Sequence, residues 1–180
     1  MIFCPIVKKD YEWLNTIHNG DYEVFRSFDG APRKMTWQPI VVRCVRADSQ
    51  QKQLFSDFPW LGGVLVFRKK AMEALRSILE QNGEILPLIT EDGAELFVHN
   101  TQVLQNALDE ENSTIVRFPG STRIMRIKKI AFNDSVVRGL DMFRLPLRSS
   151  ETYVSEKFVE QVSQHSLVGL DFNKVWESNS

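Results

Sequence analysis

The chain has 180 residues, with 22 Lys+Arg against 23 Asp+Glu and a formal net charge of −1. Twelve Phe, 4 Trp and 3 Tyr, with 43% hydrophobic and 25% charged residues, exclude a collagen-like, low-complexity or disordered chain. A charge this close to zero supplies no global attraction to nucleic acid or to an anionic membrane.

The length predicts one domain, 1–180, in which residues 1–60 can form a smaller N-terminal lobe beside a larger part at 61–177. Pro5, the charges from Lys8 onward and the lack of a preceding basic region make the start a first strand, not a signal peptide. No stretch approaches the length of a membrane span, so a cytoplasmic location is expected.

In chain order, residues 1–7 (MIFCPIV) read as a strand, and 22–28 (YEVFRSF) as an alternating segment that Phe25 interrupts. The cluster DGAPRK, 29–34, is a turn, and the β-branched run 38–47 is a third strand. Asp48 to Lys52 is polar and expected to be exposed, whereas 57–63 (DFPWLGG) should be an ordered loop.

A short strand at Val64 to Phe67 precedes a helix over 68–81. There Ala71, Met72, Leu75, Ile78 and Leu79 form one apolar stripe, closed by Asn82-Gly83 as a left-handed cap. The runs 84–90 and 94–100 flank Glu91-Asp92-Gly93 as a hairpin, with Pro87 marking an edge or a bulge. Thr101 to Leu108 is a short helix or loop, and 109–113 is polar.

Strands follow at 113–118, 122–132 and 141–147. The second has an uneven alternation that suggests a bulge. A strand at 152–154 leads into a helix over 155–165, capped by Ser155, with Phe158, Val159 and Val162 inward. Residues 167–176 form an apolar docked segment, and Ser178 to Ser180 should fray. The expected fold class is α+β, a mostly antiparallel sheet with two main helices at about 68–81 and 155–165.

Chemistry is sparse. His18, His99 and His165 form no metal-ligand spacing, and no phosphate-binding loop or nucleophile elbow occurs. No catalytic residue, metal or cofactor is assigned. Cys4 and Cys44 could pair on parity, but two free thiols are the simpler reading; Lys8 and Lys9 near Cys4 could lower its thiol pKa.

The run Asp109, Glu110, Glu111 reads as a solvated acidic loop or as a patch for a basic partner. The segment 117–129, with Arg117, Arg123, Arg126, Lys128 and Lys129, reads as an amphipathic strand with a basic solvent face. A single-strand nucleic-acid binder through this strand stays open, as does a small hydrolase or transferase pairing His99 or His18 with a carboxylate.

From about Asp57 onward an ordered series of features carries a resemblance. These are the strand–helix pair at Val64–Leu79, Leu96-Phe97-Val98, Leu108-Asp109 with Ser113, and Ile124-Met125 with Ile130 and Phe132. Gly139 before Phe143-Arg144-Leu145, the run Val154-Ser155-Glu156-Lys157-Phe158, and Gly169-Leu170-Asp171-Phe172 with Val175-Trp176 complete it. The chain thereby resembles the bacterial immunity proteins of polymorphic toxin systems, with residues 1–56 matching less well.

The resemblance implies a non-enzymatic inhibitor whose partner is a cognate toxin domain, with no nucleic acid or membrane partner. The motif residues themselves read as core, turns and a helix cap. Candidate toxin contacts are therefore sought elsewhere: the aromatics Trp13, Trp37 and Trp60, with Tyr11 and Tyr22, and the acidic run Asp109, Glu110, Glu111.

Overall fold

The structure is a computed structural model and describes residues 1–8, 10–45, 53–147 and 150–178. In chain order the elements are β1 (Ile2–Val7), β2 (Trp13–Thr16), α1 (Asp21–Arg26), β3 (Ile40–Val45), β4 (Val66–Phe67), α2 (Lys69–Gln81), β5 (Gly83–Thr90) and β6 (Glu95–Thr101). They continue with β7 (Thr114–Arg117), β8 (Ile124–Lys129), α3 (Asp134–Val137), β9 (Met142–Arg144), β10 (Thr152–Ser155), α4 (Glu156–Gln164) and β11 (Leu170–Trp176). The expected polar run Asp48 to Lys52, residues 46–47 of the third strand, Lys9 and residues 179–180 lie outside the described residues.

The fold is α+β, with mostly antiparallel sheets, and α2 and α4 are its two main helices. One sheet has the order β11-β1-β10-β9, a second β2-β3-β5-β6-β4, and β7 and β8 form a two-stranded sheet apart from both. Among the described strands β3–β5 is the one parallel pair.

Strand alternation lets the second sheet bury both faces. From β5 and β6, Leu86, Leu88, Leu96 and Val98 meet Leu14, Phe25 and Phe28, while Ile85 and Phe97 turn to the stripe of α2. That stripe also meets Phe158 and Val162 of α4, together with Met142 and Val154 of the first sheet. Ser155 caps α4 by accepting the Phe158 amide at 3.3 Å. A third apolar cluster on the first sheet gathers Ile2, Phe132, Phe143, Tyr153 and Trp176.

Several expectations need correction. Residues 21–26 are helical rather than extended, because Tyr22, Phe25 and Phe28 recur at a spacing of three, and Phe25 and Phe28 are thereby buried together, edge to face at 5.7 Å. Pro87 is on an inner strand, not an edge. It escapes the ladder because β3 joins β5 only from Leu88 onward, and the Pro87 carbonyl instead accepts the Trp37 indole N–H at 2.8 Å. Asn82 is not left-handed: φ is −121°, and its buried amide donates to the Ile78 carbonyl at 2.7 Å. Residues 170–176 are a full strand, and β2 and α3 appear where no element is expected.

The uneven alternation of β8 resolves into two register shifts, which leave Ile124 and Ile127 half-buried and the residues between and after them exposed. At the start of the chain, β1 lies between β11, along its whole length, and β10, at Ile2 and Phe3 only.

Candidate partner-binding surfaces

Trp13 and Trp60 come from separate parts of the chain and meet in space. The Trp60 amide donates to the Glu12 carbonyl at 3.0 Å, and the Leu14 amide donates to the Trp60 carbonyl at 2.7 Å. With Leu14 buried in the core, alternation turns Trp13 outward, and its ring stands 5.3 Å from that of Trp60 at 54°. The rings remain 41% and 37% exposed, and Leu54 and Phe55 from the same loop are more than half exposed. Trp13 and Trp60 thus form one exposed aromatic pair rather than two scattered surface residues.

The two tryptophans form one wall of a cleft of about 320 Å³. The other wall is Cys4–Lys8 of β1 and its extension, with Glu151 and Thr152 at the side. The cleft opens because β1 and β10 part after Phe3. The next outward ladder position falls to Pro5, which has no N–H to offer. The Lys8 amide donates to the Gly169 carbonyl, so alternation turns the backbone groups of Val7 away from β11, to the side where β10 has parted.

Trp37 does not join this pair. It packs on Phe25 and Phe28 at 6.5 and 5.8 Å and is tied through its indole to Pro87. Tyr22 is likewise engaged, its hydroxyl donating to the Gly62 carbonyl at 2.6 Å. Tyr11 is half-buried under the Lys8 ammonium, 5.9 Å from its ring centre.

The acidic run lies elsewhere, beside β7 and β8. Asp109 accepts the Asn112 amide and side chain at 3.0 and 2.7 Å, and these bonds hold its carboxyl below the usual range. Glu110 pairs with Arg117 at 2.5 Å, and Glu111 is exposed. The structure thus joins Trp13 to Trp60 and leaves Trp37 and the run 109–111 apart from them.

Ile6 and Glu151 are cleft residues that the sequence did not single out. In an all-apolar strand such as IFCPIV, nothing local says which face is left uncovered.

His99 is buried, with Nε2 2.9 Å from the Leu79 carbonyl and Nδ1 2.8 Å from the Thr101 hydroxyl. A carbonyl only accepts, so Nε2 carries the proton and Nδ1 accepts from Thr101. Both nitrogens are thereby occupied and neither meets a carboxylate. Cys4 and Cys44 are both free. Burial, with Glu151 nearby, pushes the Cys4 thiol up to about 11, the reverse of the lowering that neighbouring lysines suggested. Among the described residues no group of three His, Cys, Asp or Glu converges as a metal site, and no helix is long and apolar enough to cross a membrane.

Burial lowers the His99 pKa from 6.5 to about 4, against the weaker pull of the Leu79 carbonyl. Protonation therefore favours the unfolded chain. The contribution is whole above about 6.5, is lost as pH falls from there, and levels off near 4. The expected loss approaches about 3 kcal/mol. Urea unfolding of the wild type and of His99→Gln between pH 7 and 4 checks this. The variant should show a shallower pH dependence, and equal slopes would remove His99 as the cause.

A search of curated proteins finds no match. Comparison with family models finds that residues 92–177, from the β5–β6 turn to just past β11, match the immunity protein family Imm11. The resemblance read from the sequence is thus shown over that stretch: in its C-terminal half the chain is similar to an immunity protein family.

Proposed function

We propose that the chain is a bacterial immunity-type protein, active in the cytoplasm, that binds a cognate toxin domain and covers its active site. It needs no cofactor and performs no chemistry of its own. The family match supports the immunity role, and the exposed Trp13–Trp60 pair beside its cleft is the observation that carries a contact surface. Interfaces concentrate their energy in buried aromatics of this kind, inside a contact of about 800 Å² per partner.

The N-terminal segment and the family-like part are taken to act as one unit. This is supported by β1, which pairs with strands from the far end of the chain. On this reading the Trp13–Trp60 surface, outside the family match, belongs to the same unit as residues 92–177.

The test is co-expression with the product of the gene immediately upstream, scored for toxicity, for rescue of growth and for a complex that survives purification. The double variant Trp13→Ala/Trp60→Ala should weaken the complex at least about a hundredfold, the loss of two anchors worth roughly 1.5 kcal/mol each. Its melting temperature should fall only a little, because neither ring belongs to a buried apolar cluster. Unchanged affinity would remove the aromatic pair from the interface, and absence of any complex or rescue would end the immunity reading.

A further inference from the structure

The β7–β8 sheet is unusual in its burial and its charge. Neither strand holds a fully buried residue, although Ile115, Val116, Ile124 and Ile127 are half-buried. Two-stranded sheets are marginal in water, so the arm depends on its base. There the Ser113 hydroxyl accepts the Ala131 amide at 2.9 Å, and the Asp109 amide donates to the Ala131 carbonyl at 3.0 Å. Beyond the base the arm projects Arg117, Arg123, Arg126, Lys128 and Lys129, and the sequence has no Asp or Glu between Glu111 and Asp134. This concentration of cations sits in a chain whose overall charge is −1.

The nearby acids do not cancel it. Asp109 is engaged by Asn112, and Glu110 is taken by Arg117. Among the described residues no carboxylate lies within ion-pair distance of Arg123, Arg126, Lys128 or Lys129. Phe118 and Met125 are exposed on the same arm.

We propose that the β7–β8 arm docks on an acidic face of the partner protein, its cations paired with carboxylates and Met125 set against an apolar spot among them. The identity of that partner rests on the immunity reading above; the charge of its contact face does not. A protein face fits better than a nucleic acid. The arm's only exposed aromatic is Phe118, and the Arg123 guanidinium already covers one side of its ring at 5.4 Å, leaving a poor platform for stacked bases. Exposed cations on such an arm act mainly on the rate of encounter and on the choice of partner.

The test uses the full chain and two labelled probes of matched length, poly-L-glutamate of about 20 residues and an oligothymidylate of about 20 nucleotides, followed by fluorescence anisotropy at about 50 mM salt. The peptide is expected to bind, to lose about tenfold or more in affinity by roughly 300 mM salt, and to lose at least as much in Arg126→Glu/Lys128→Glu/Lys129→Glu. The Trp13→Ala/Trp60→Ala variant should bind it as the wild type does. No peptide binding, or binding that the triple variant keeps, overturns the proposal. So does tighter binding of the oligonucleotide that the triple variant abolishes, which assigns the arm to nucleic acid.

If the triple variant fails to fold, Arg126→Gln/Lys128→Gln/Lys129→Gln is read in the same way. With the toxin domain, the triple variant should associate about tenfold more slowly, and an unchanged rate counts against the arm. A chain that binds the peptide through the arm but neutralises no toxin retains this inference and loses only the immunity reading.

Discussion

Phe132→Ala is expected to cost roughly 3–5 kcal/mol, a large part of the stability of a chain this size. The Phe132 ring stands among three other aromatics. Tyr153 lies 5.0 Å away, Phe143 5.3 Å and Trp176 5.8 Å, each presenting a steep edge-to-face angle. Such pairs add to the burial of the ring itself, and their three partners come from β9, β10 and β11, which cannot all collapse into the hole. Phe132 also closes the base of the β7–β8 arm, through its bridge to Leu108. Urea unfolding measures the effect. Phe132→Leu should recover more than half of the loss, and a cost below about 1 kcal/mol for alanine would mean that the cluster is not part of the stabilising core.

Gly83→Ala is expected to cost about 3 kcal/mol or more, for a different reason. Gly83 opens β5 at φ +155°, and a Cβ there would stand 2.3 Å from the Asn100 backbone oxygen and 2.8 Å from the His99 ring. Neither neighbour can move freely. Asn100 is paired with Glu84 in the ladder, and His99 is fixed by Thr101 and Leu79. Gly93→Ala serves as the control. Its φ is also positive, at 83°, but nothing lies within 4 Å of the added carbon, so only the backbone cost of about 1 kcal/mol should appear. Equal effects at the two positions would show that the contact with Asn100 is not the cause.

The helices α2 and α4 and the β5–β6 hairpin were legible because their signals are local: a stripe at spacings of three and four, a serine cap, a glycine turn. The same reasoning fails where a distant partner decides. Residues 22–28 support either alternation or a spacing of three, and the outcome depends on Leu86 and Leu88, which offer a face for Phe25 and Phe28. Pro87 forbids a donor on one side of its strand, but only the position where β3 begins to pair shows that the strand can still be internal. β11 alternates from Leu170 to Asn173, but Lys174 then breaks the period, and its register comes from β1.

The candidate surface divides along the same line. Composition pointed to Trp13, Trp37 and Trp60 alike. Which of them stays exposed depends on where Glu12 and Leu14 dock against residue 60, and on where Pro87 meets residue 37. Cys4 illustrates the limit of sequence neighbourhood in electrostatics: Lys8 is close in the chain but is paired with Asp171, while Glu151, far away in the chain, is the charge the thiol senses.

The position of β1 also sets the order of assembly. Residue 2 pairs with residue 155 on one side and residue 176 on the other, so β1 is an inner strand of a sheet whose partners come much later in the chain. Closing that sheet ties together the most distant points of the chain, the kind of contact that slows folding most. During synthesis β1 must wait, apolar and unpaired, until β10 and β11 have emerged. Until then it is an open apolar segment of the kind that chaperones hold.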